Sequence, residues 1–203
     1  MCIRDSASTL PEVAAYPLRA AQLFLGDDLR VLGAQIRRDG DVGPDSAGAA
    51  LLGSPSGVSA QLAFGLEHAY RSGYSLWGSE GHLRLERAFS TPDELVPVVR
   101  IERQNQVTEV PLAADRQFVN IAGEFARAVL DGEDFGPHYE AVLRQAELVD
   151  AMDRAAARYS ERPTRSAPRL KNCTSTWENG SRRAPNFDFV LRMPRATART
   201  RPC

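Results

Sequence analysis

Long apolar runs are missing from this 203-residue sequence: none approaches the roughly 20 residues that a membrane-spanning helix needs. The first residues also lack the roughly 7–15-residue apolar core of a secretion signal, so a cytoplasmic address is expected. Cysteine is scarce. Cys2, Cys173 and Cys203 are odd in number, far apart and near the ends, which argues against a disulfide framework. His68, His82 and His138 show no ligand spacing with one another or with cysteine, so no metal site is expected. Among 15 glycines no two are separated by a single residue. G-x-G is therefore absent, and with it the tight turn by which a backbone approaches a dinucleotide pyrophosphate. Lysine occurs once, as Lys171. A net charge of −1 gives no overall attraction to nucleic acid or to an anionic membrane surface.

What is present suits a soluble core: 43% hydrophobic and 25% charged residues. The length predicts one domain, with room for an appendage. Charge divides the chain unevenly. Residues 161–203 carry ten Lys/Arg against three Asp/Glu, while the remainder is acidic. That tail, rich in Arg, Pro and Ser, shows no periodicity beyond a short "FDFVL" and is expected to be disordered or frame-shifted. A basic tail of this kind can also serve as a nucleic-acid arm, but the acidic remainder disfavours a nucleic-acid partner. At the other end, "MCIRDS" resembles a recurrent translated sequencing adapter. Residues 1–6 are read as an artefact and residues 7–160 as the authentic domain, a fragment of a longer protein.

Hydrophobic spacing then predicts the elements. In "LPEVAAYPLRAAQLFLG" Leu18, Ala21 and Leu25, with Phe24 offset, recur at helical spacing, and Gly26 stands where a helix C-cap glycine belongs. "DLRVLGAQIRRDG" reads as a strand. Hairpins follow. "SAGAALLGS" and "GVSAQLAFGLEH" flank the turn "GSPSG", with Val58, Ala60, Leu62 and Phe64 on one face of the second strand. "YSLWGSEGHLRLERAF" turns at "GSEG", and "PVVRIERQNQVTEVPL" turns near Gln104–Asn105. Two helices close the domain. One has the stripe Phe118, Ile121, Phe125 and Val129, Asp115 as N-cap and Gly132 near the C-cap; the other has Val142, Ala146, Val149 and Met152. The expected fold is α+β: a mostly antiparallel meander of about six or seven strands with helices packed on one face.

Tyr16 is the residue that suggests chemistry. It precedes Pro17, which suits a first helical turn, and Glu12 lies one turn earlier. A phenol of pKa ~10 can pass a proton to a carbonyl oxygen as hydride reaches the carbon. The alternative is an amphipathic boundary residue, aromatic body inward and hydroxyl in water. Arg19, one turn on, can face the same cleft and bind a sugar hydroxyl or a phosphate, or can simply be solvated.

The order of these features resembles one family. An acidic residue, then a Tyr four positions on, a helix ending "LFLG", a meander containing "YSLWGSEGHLRLERAF" and paired C-terminal helices look like the C-terminal half of the glucose–fructose oxidoreductase / inositol dehydrogenase / MocA-type (Gfo/Idh/MocA) oxidoreductases. The resemblance covers about residues 8 to 158. It implies a domain that supplies the substrate surface and the oligomer interface, beside a Rossmann domain that binds NAD(P). The family's catalytic Tyr or His falls on Tyr16 and its preceding acid on Glu12, where Asp is usual. Arg19, His68, Arg116 and Gln117 are expected to border the substrate. The implied substrate is a sugar, polyol or related ketone, and homo-oligomerisation is expected through the sheet. NAD(P) is the cofactor of the intact enzyme. This chain, without G-x-G and without the family's catalytic lysine, is expected to bind none and to be inactive alone. The second reading is a non-catalytic homo-oligomerisation or scaffold module.

Overall fold

The computed structural model describes residues 9–38, 45–66, 68–160 and 186–192. Two helices, α1 (Thr9–Glu12) and α2 (Ala15–Leu25), precede three strands, β1 (Arg30–Arg38), β2 (Asp45–Gly53) and β3 (Ser59–Gly65). Four more strands follow: β4 (Ser72–Trp77), β5 (His82–Leu85), β6 (Val98–Arg103) and β7 (Gln106–Pro111). The chain continues through α3 (Gln117–Asp131), α4 (Gly136–Ser160) and β8 (Asn186–Arg192). β1–β3 and β4–β7 are two antiparallel meanders. β8 lies between them, antiparallel to β3 and parallel to β4, and joins them into one sheet of order β1-β2-β3-β8-β4-β5-β6-β7.

The α+β architecture and the seven antiparallel strands agree with the sequence reading. β8 corrects it. Asn186–Arg192 belongs to the tail expected to be disordered or frame-shifted, yet "NFDFVLR" is rich in strand-favouring residues and meets two free strand edges, those of β3 and β4. The rest of 161–203, like residues 1–6 and Glu67, lies outside the described residues.

The core forms where the two-residue period of the strands meets the helices. Ala60, Leu62 and Phe64 of β3 are buried, while Gln61 and Ala63 between them are exposed. Register places Leu52 and Ala50 of β2 opposite Ala60 and Leu62, so both strands turn the same face inward. Leu18 and Ala21 of α2, Leu10 and Val13 at α1, and Leu148, Met152 and Ala156 of α4 pack on that face. Each large apolar side chain buried there contributes about 1.5–3 kcal/mol relative to exposure. Gly48 is required on β2: a Cβ there would lie 2.5 Å from the Phe64 ring and 2.9 Å from the Gln35 carbonyl oxygen.

Polar contacts fix the helices that carry the site. The Leu10 amide, unsatisfied within α1, donates to Asp45 Oδ2 at 2.5 Å, and the Thr9 hydroxyl donates to the Asp45 carbonyl. Gly26 ends α2 at φ +83°, its amide donating to the Gln22 carbonyl at 2.8 Å. Arg144 of α4 then clamps the link from α2 to β1, donating to the carbonyls of Asp27 (2.9 Å) and Leu29 (2.8 Å).

The C-terminal helices depart from expectation in three ways. Asp115 does not cap α3: the N-cap position is Arg116, and Asp115 Oδ1 instead accepts from Asn120 Nδ2 at 2.5 Å. In α4 the buried residues are Leu148, Met152 and Ala156, with Val149 half-buried, whereas Val142 and Ala146 are exposed. In α3 only Ala128 is buried, and the stripe Phe118, Ile121, Phe125 and Val129 faces outward, Phe118 at 69% exposure. α3 therefore does not cover the sheet. A helical period shows that a face is apolar but does not say what lies against it. Here α4 packs on β1, and α2 packs on β3 and β8.

Candidate functional site

A cavity of about 550 Å³ opens beside α2, bounded by β4, the segment after β5, and α4. Helical spacing builds its near wall. Arg19, Leu23 and Phe24 lie three, seven and eight residues after Tyr16, so they share one side of α2 with it. Pro17 is accommodated in the first turn, where its missing amide costs little. From α4, Gln145 Nε2 donates to the Ala15 carbonyl at 3.2 Å and ties the start of α2 to that helix. Strand period places Tyr74 of β4 on the inward face, in register with Leu85 of β5, and both line the cavity.

Four rings run in sequence along this wall. Tyr16 meets Phe89 edge to face at 6.0 Å between centroids, Phe89 meets Tyr74 at 6.3 Å, and Tyr74 meets Phe24 at 5.2 Å. The two phenols differ. Tyr16 is 40% exposed at the cavity, whereas burial pushes the Tyr74 hydroxyl above its ordinary value of 10.0 and keeps it protonated. Arg19 is exposed and makes no hydrogen bond or ion pair among the described residues, and it is the cation among the lining side chains. A phenol, a free guanidinium and an aromatic wall can together hold an organic molecule with an anionic group and place an oxygen against the phenol.

The residues singled out from the sequence separate here. Tyr16 and Arg19 line the cavity. Glu12 does not: it is exposed at the end of α1, and the turn at Val13–Ala14 divides it from α2. His68 is exposed after β3, beside Gly65. Arg116 sits 3.7 Å from Asp93 in an exposed ion pair. Gln117 Nε2 donates to the Thr91 carbonyl at 3.1 Å, so it holds the segment that carries Phe89 and does not line the cavity itself. Sequence reasoning missed Tyr74, Phe89, Leu23 and Gln145. Tyr74 alternates with Leu76 on β4 and was open to recognition, whereas Phe89 lies outside any periodic element.

No protein-family model matches the chain. Among curated proteins it is 50% identical over 156 residues to dTDP-3,4-didehydro-2,6-dideoxy-alpha-D-glucose 3-reductase of Streptomyces violaceoruber, covering 72% of this chain and 46% of that protein. The enzyme of the same name from Actinomadura kijaniata is 46% identical over 143 residues, 70% of this chain and 43% of the relative. Among solved structures the chain superposes on KijD10, a 3-ketoreductase from Actinomadura kijaniata in complex with NADP and TDP-benzene. The TM-score is 0.72 at 44% identity, covering 75% of this chain and 48% of that one. The same 3-ketoreductase has also been solved with a tyrosine exchanged for phenylalanine. The chain thus spans a little under half the length of the curated relatives it matches, and over that span it is similar to dTDP-sugar 3-reductases and to a 3-ketoreductase solved with NADP.

Proposed function

We propose that this chain is the substrate-binding half of an NAD(P)-dependent reductase of the Gfo/Idh/MocA type. Its substrate would be a ketone on a nucleotide-linked sugar, and Tyr16 would be the proton donor. The observation that carries the proposal is the position of Tyr16: its phenol is accessible, at the wall of a cavity, one helical turn from Arg19, which has no ion-pair partner among the described residues. The 3-ketoreductase relatives supply the substrate class, a TDP-linked sugar. In this reading Arg19 holds the anionic diphosphate, the aromatic wall excludes water, and the Tyr16 hydroxyl donates its proton to the carbonyl oxygen as negative charge develops there.

In this reading the dinucleotide is not held by this chain. G-x-G is absent from the sequence. At the start of α4 the Gly136 amide is occupied by Asp134 Oδ1 at 2.8 Å, an acidic neighbour that repels pyrophosphate. The chemistry assigned to this chain is therefore confined to substrate binding and proton delivery, and we place the NADP site in the half of the relatives that this chain does not match. The exposed stripe of α3 suits contact with that half and with a second copy of the chain.

Joining this chain to the nucleotide-binding half of the Actinomadura 3-ketoreductase tests the assignment. NADPH consumption with a TDP-linked 3-keto sugar is expected of the joined protein and not of the 203-residue chain alone. Consumption by the chain alone would show that it carries its own reductant site and would sink the assignment of halves.

A further inference from the structure

We propose that Phe89 is a positioning residue for the Tyr16 phenol, and that Ser72 and Gln117 are the latches that hold it there. The segment 87–91 that carries Phe89 is neither helix nor strand, yet it is closely built. Two residues that are not glycine, Arg87 at φ +53° and Ser90 at φ +49°, adopt left-handed backbone on either side of Ala88 and Phe89. Ala88 and Phe89 are the residues the segment contributes to the cavity wall.

Such a conformation persists only where its surroundings over-determine it, and five contacts do so here. The Ala88 amide donates to the Ser72 carbonyl at 2.7 Å, and the Ser72 hydroxyl, 2% exposed at the start of β4, donates back to the Phe89 carbonyl at 3.1 Å. Thr91 Oγ1 donates to the Arg87 carbonyl at 2.9 Å, and Gln117 Nε2 to the Thr91 carbonyl at 3.1 Å. The Arg87 guanidinium lies 4.8 Å above the Tyr70 ring. The outcome is a ring presented edge to face against Tyr16 on one side and Tyr74 on the other. A phenol 40% exposed on the first turn of a helix has rotamer freedom to lose, and the Phe89 ring, edge to face at 6.0 Å, narrows it.

This role rests on Tyr16 being the proton donor only for its consequence, and its test reads the ring itself. The 203-residue chain is labelled with fluorotyrosine and its five signals are assigned by single Tyr→Phe exchanges. Phe89→Leu is expected to move the Tyr16 signal toward its position in the unfolded chain, and Phe89→Tyr to restore it. Ser72→Ala removes a latch that does not touch Tyr16 and is expected to move the same signal in the same direction, with Gln117→Ala doing so to a smaller extent. The circular dichroism spectrum and the Tyr139 signal should stay unchanged throughout. A Tyr16 signal that stays in place in Ser72→Ala and Gln117→Ala overturns the proposal, as does one that moves only together with loss of the folded spectrum. The catalytic reading of Tyr16 stands or falls on kinetics instead, so either result can fail alone.

Discussion

At the scale of single residues, the two tyrosines of the cavity divide accessibility and burial between them. Tyr16 reaches the opening, while Tyr74 supports the wall and has its hydroxyl pushed above 10.0 by desolvation. A raised phenol pKa means that the folded chain binds the proton more tightly than the unfolded chain. The associated stability is fully present below the ordinary phenol value and is lost as pH climbs from there through the raised one. Denaturant midpoints should accordingly fall above about pH 10, and Tyr74→Phe should flatten that fall. An unchanged alkaline profile in Tyr74→Phe would count against a buried, protonated hydroxyl. Gly48 makes a second residue-level case. A side chain there collides with the Phe64 ring and the Gln35 backbone, so Gly48→Val should cost more than the roughly 1–3 kcal/mol of ordinary overpacking. Urea titration measures it.

At the scale of elements, burial decides which apolar stripes matter. Phe64 of β3 is 1% exposed and Phe125 of α3 is 63% exposed. Phe64→Ala should therefore cost about 3–5 kcal/mol of unfolding free energy, and Phe125→Ala should stay within about 0.5 kcal/mol. Equal losses would mean that α3 is packed. The strands were legible in the sequence because alternation over β3 and turn signals such as "GSPSG" and "GSEG" act locally: Ser54 and Val58 close the first turn at 2.9 Å, and Gly78 and Gly81 close the second at 2.9 Å. The α2 face was legible for the same reason. What sits against α3 was not, since amphipathicity precedes packing and does not choose a partner. The short "FDFVL" stretch stood out in the sequence, but the place of β8 did not, because its pairing needs two edges, β3 and β4, that are distant in sequence from Asn186–Arg192. Phe89 was missed because its position depends on left-handed backbone at Arg87 and Ser90, residues with no glycine to announce it.

At the scale of the whole molecule, the charge asymmetry, the absent G-x-G and the exposed α3 stripe are consistent with a chain that works against another surface. A solution of the 203-residue chain should accordingly self-associate, and polar exchanges at Phe118 and Phe125 should reduce that association in light scattering without lowering the unfolding midpoint. Tyr16 was singled out by its place before Pro17 and by the family resemblance, and Arg19 by lying one helical turn on; both line the cavity. Tyr74 and Gln145, brought to the same cavity by β4 and α4, needed the tertiary fold. The central claim, that the Tyr16 hydroxyl delivers the proton to a sugar ketone, is tested most directly by steady-state kinetics of Tyr16→Phe in the joined reductase. Loss of the hydroxyl should lower kcat by about 10²–10⁴-fold while leaving KM for the TDP-linked sugar nearly unchanged. A kcat equal to that of the parent would contradict it.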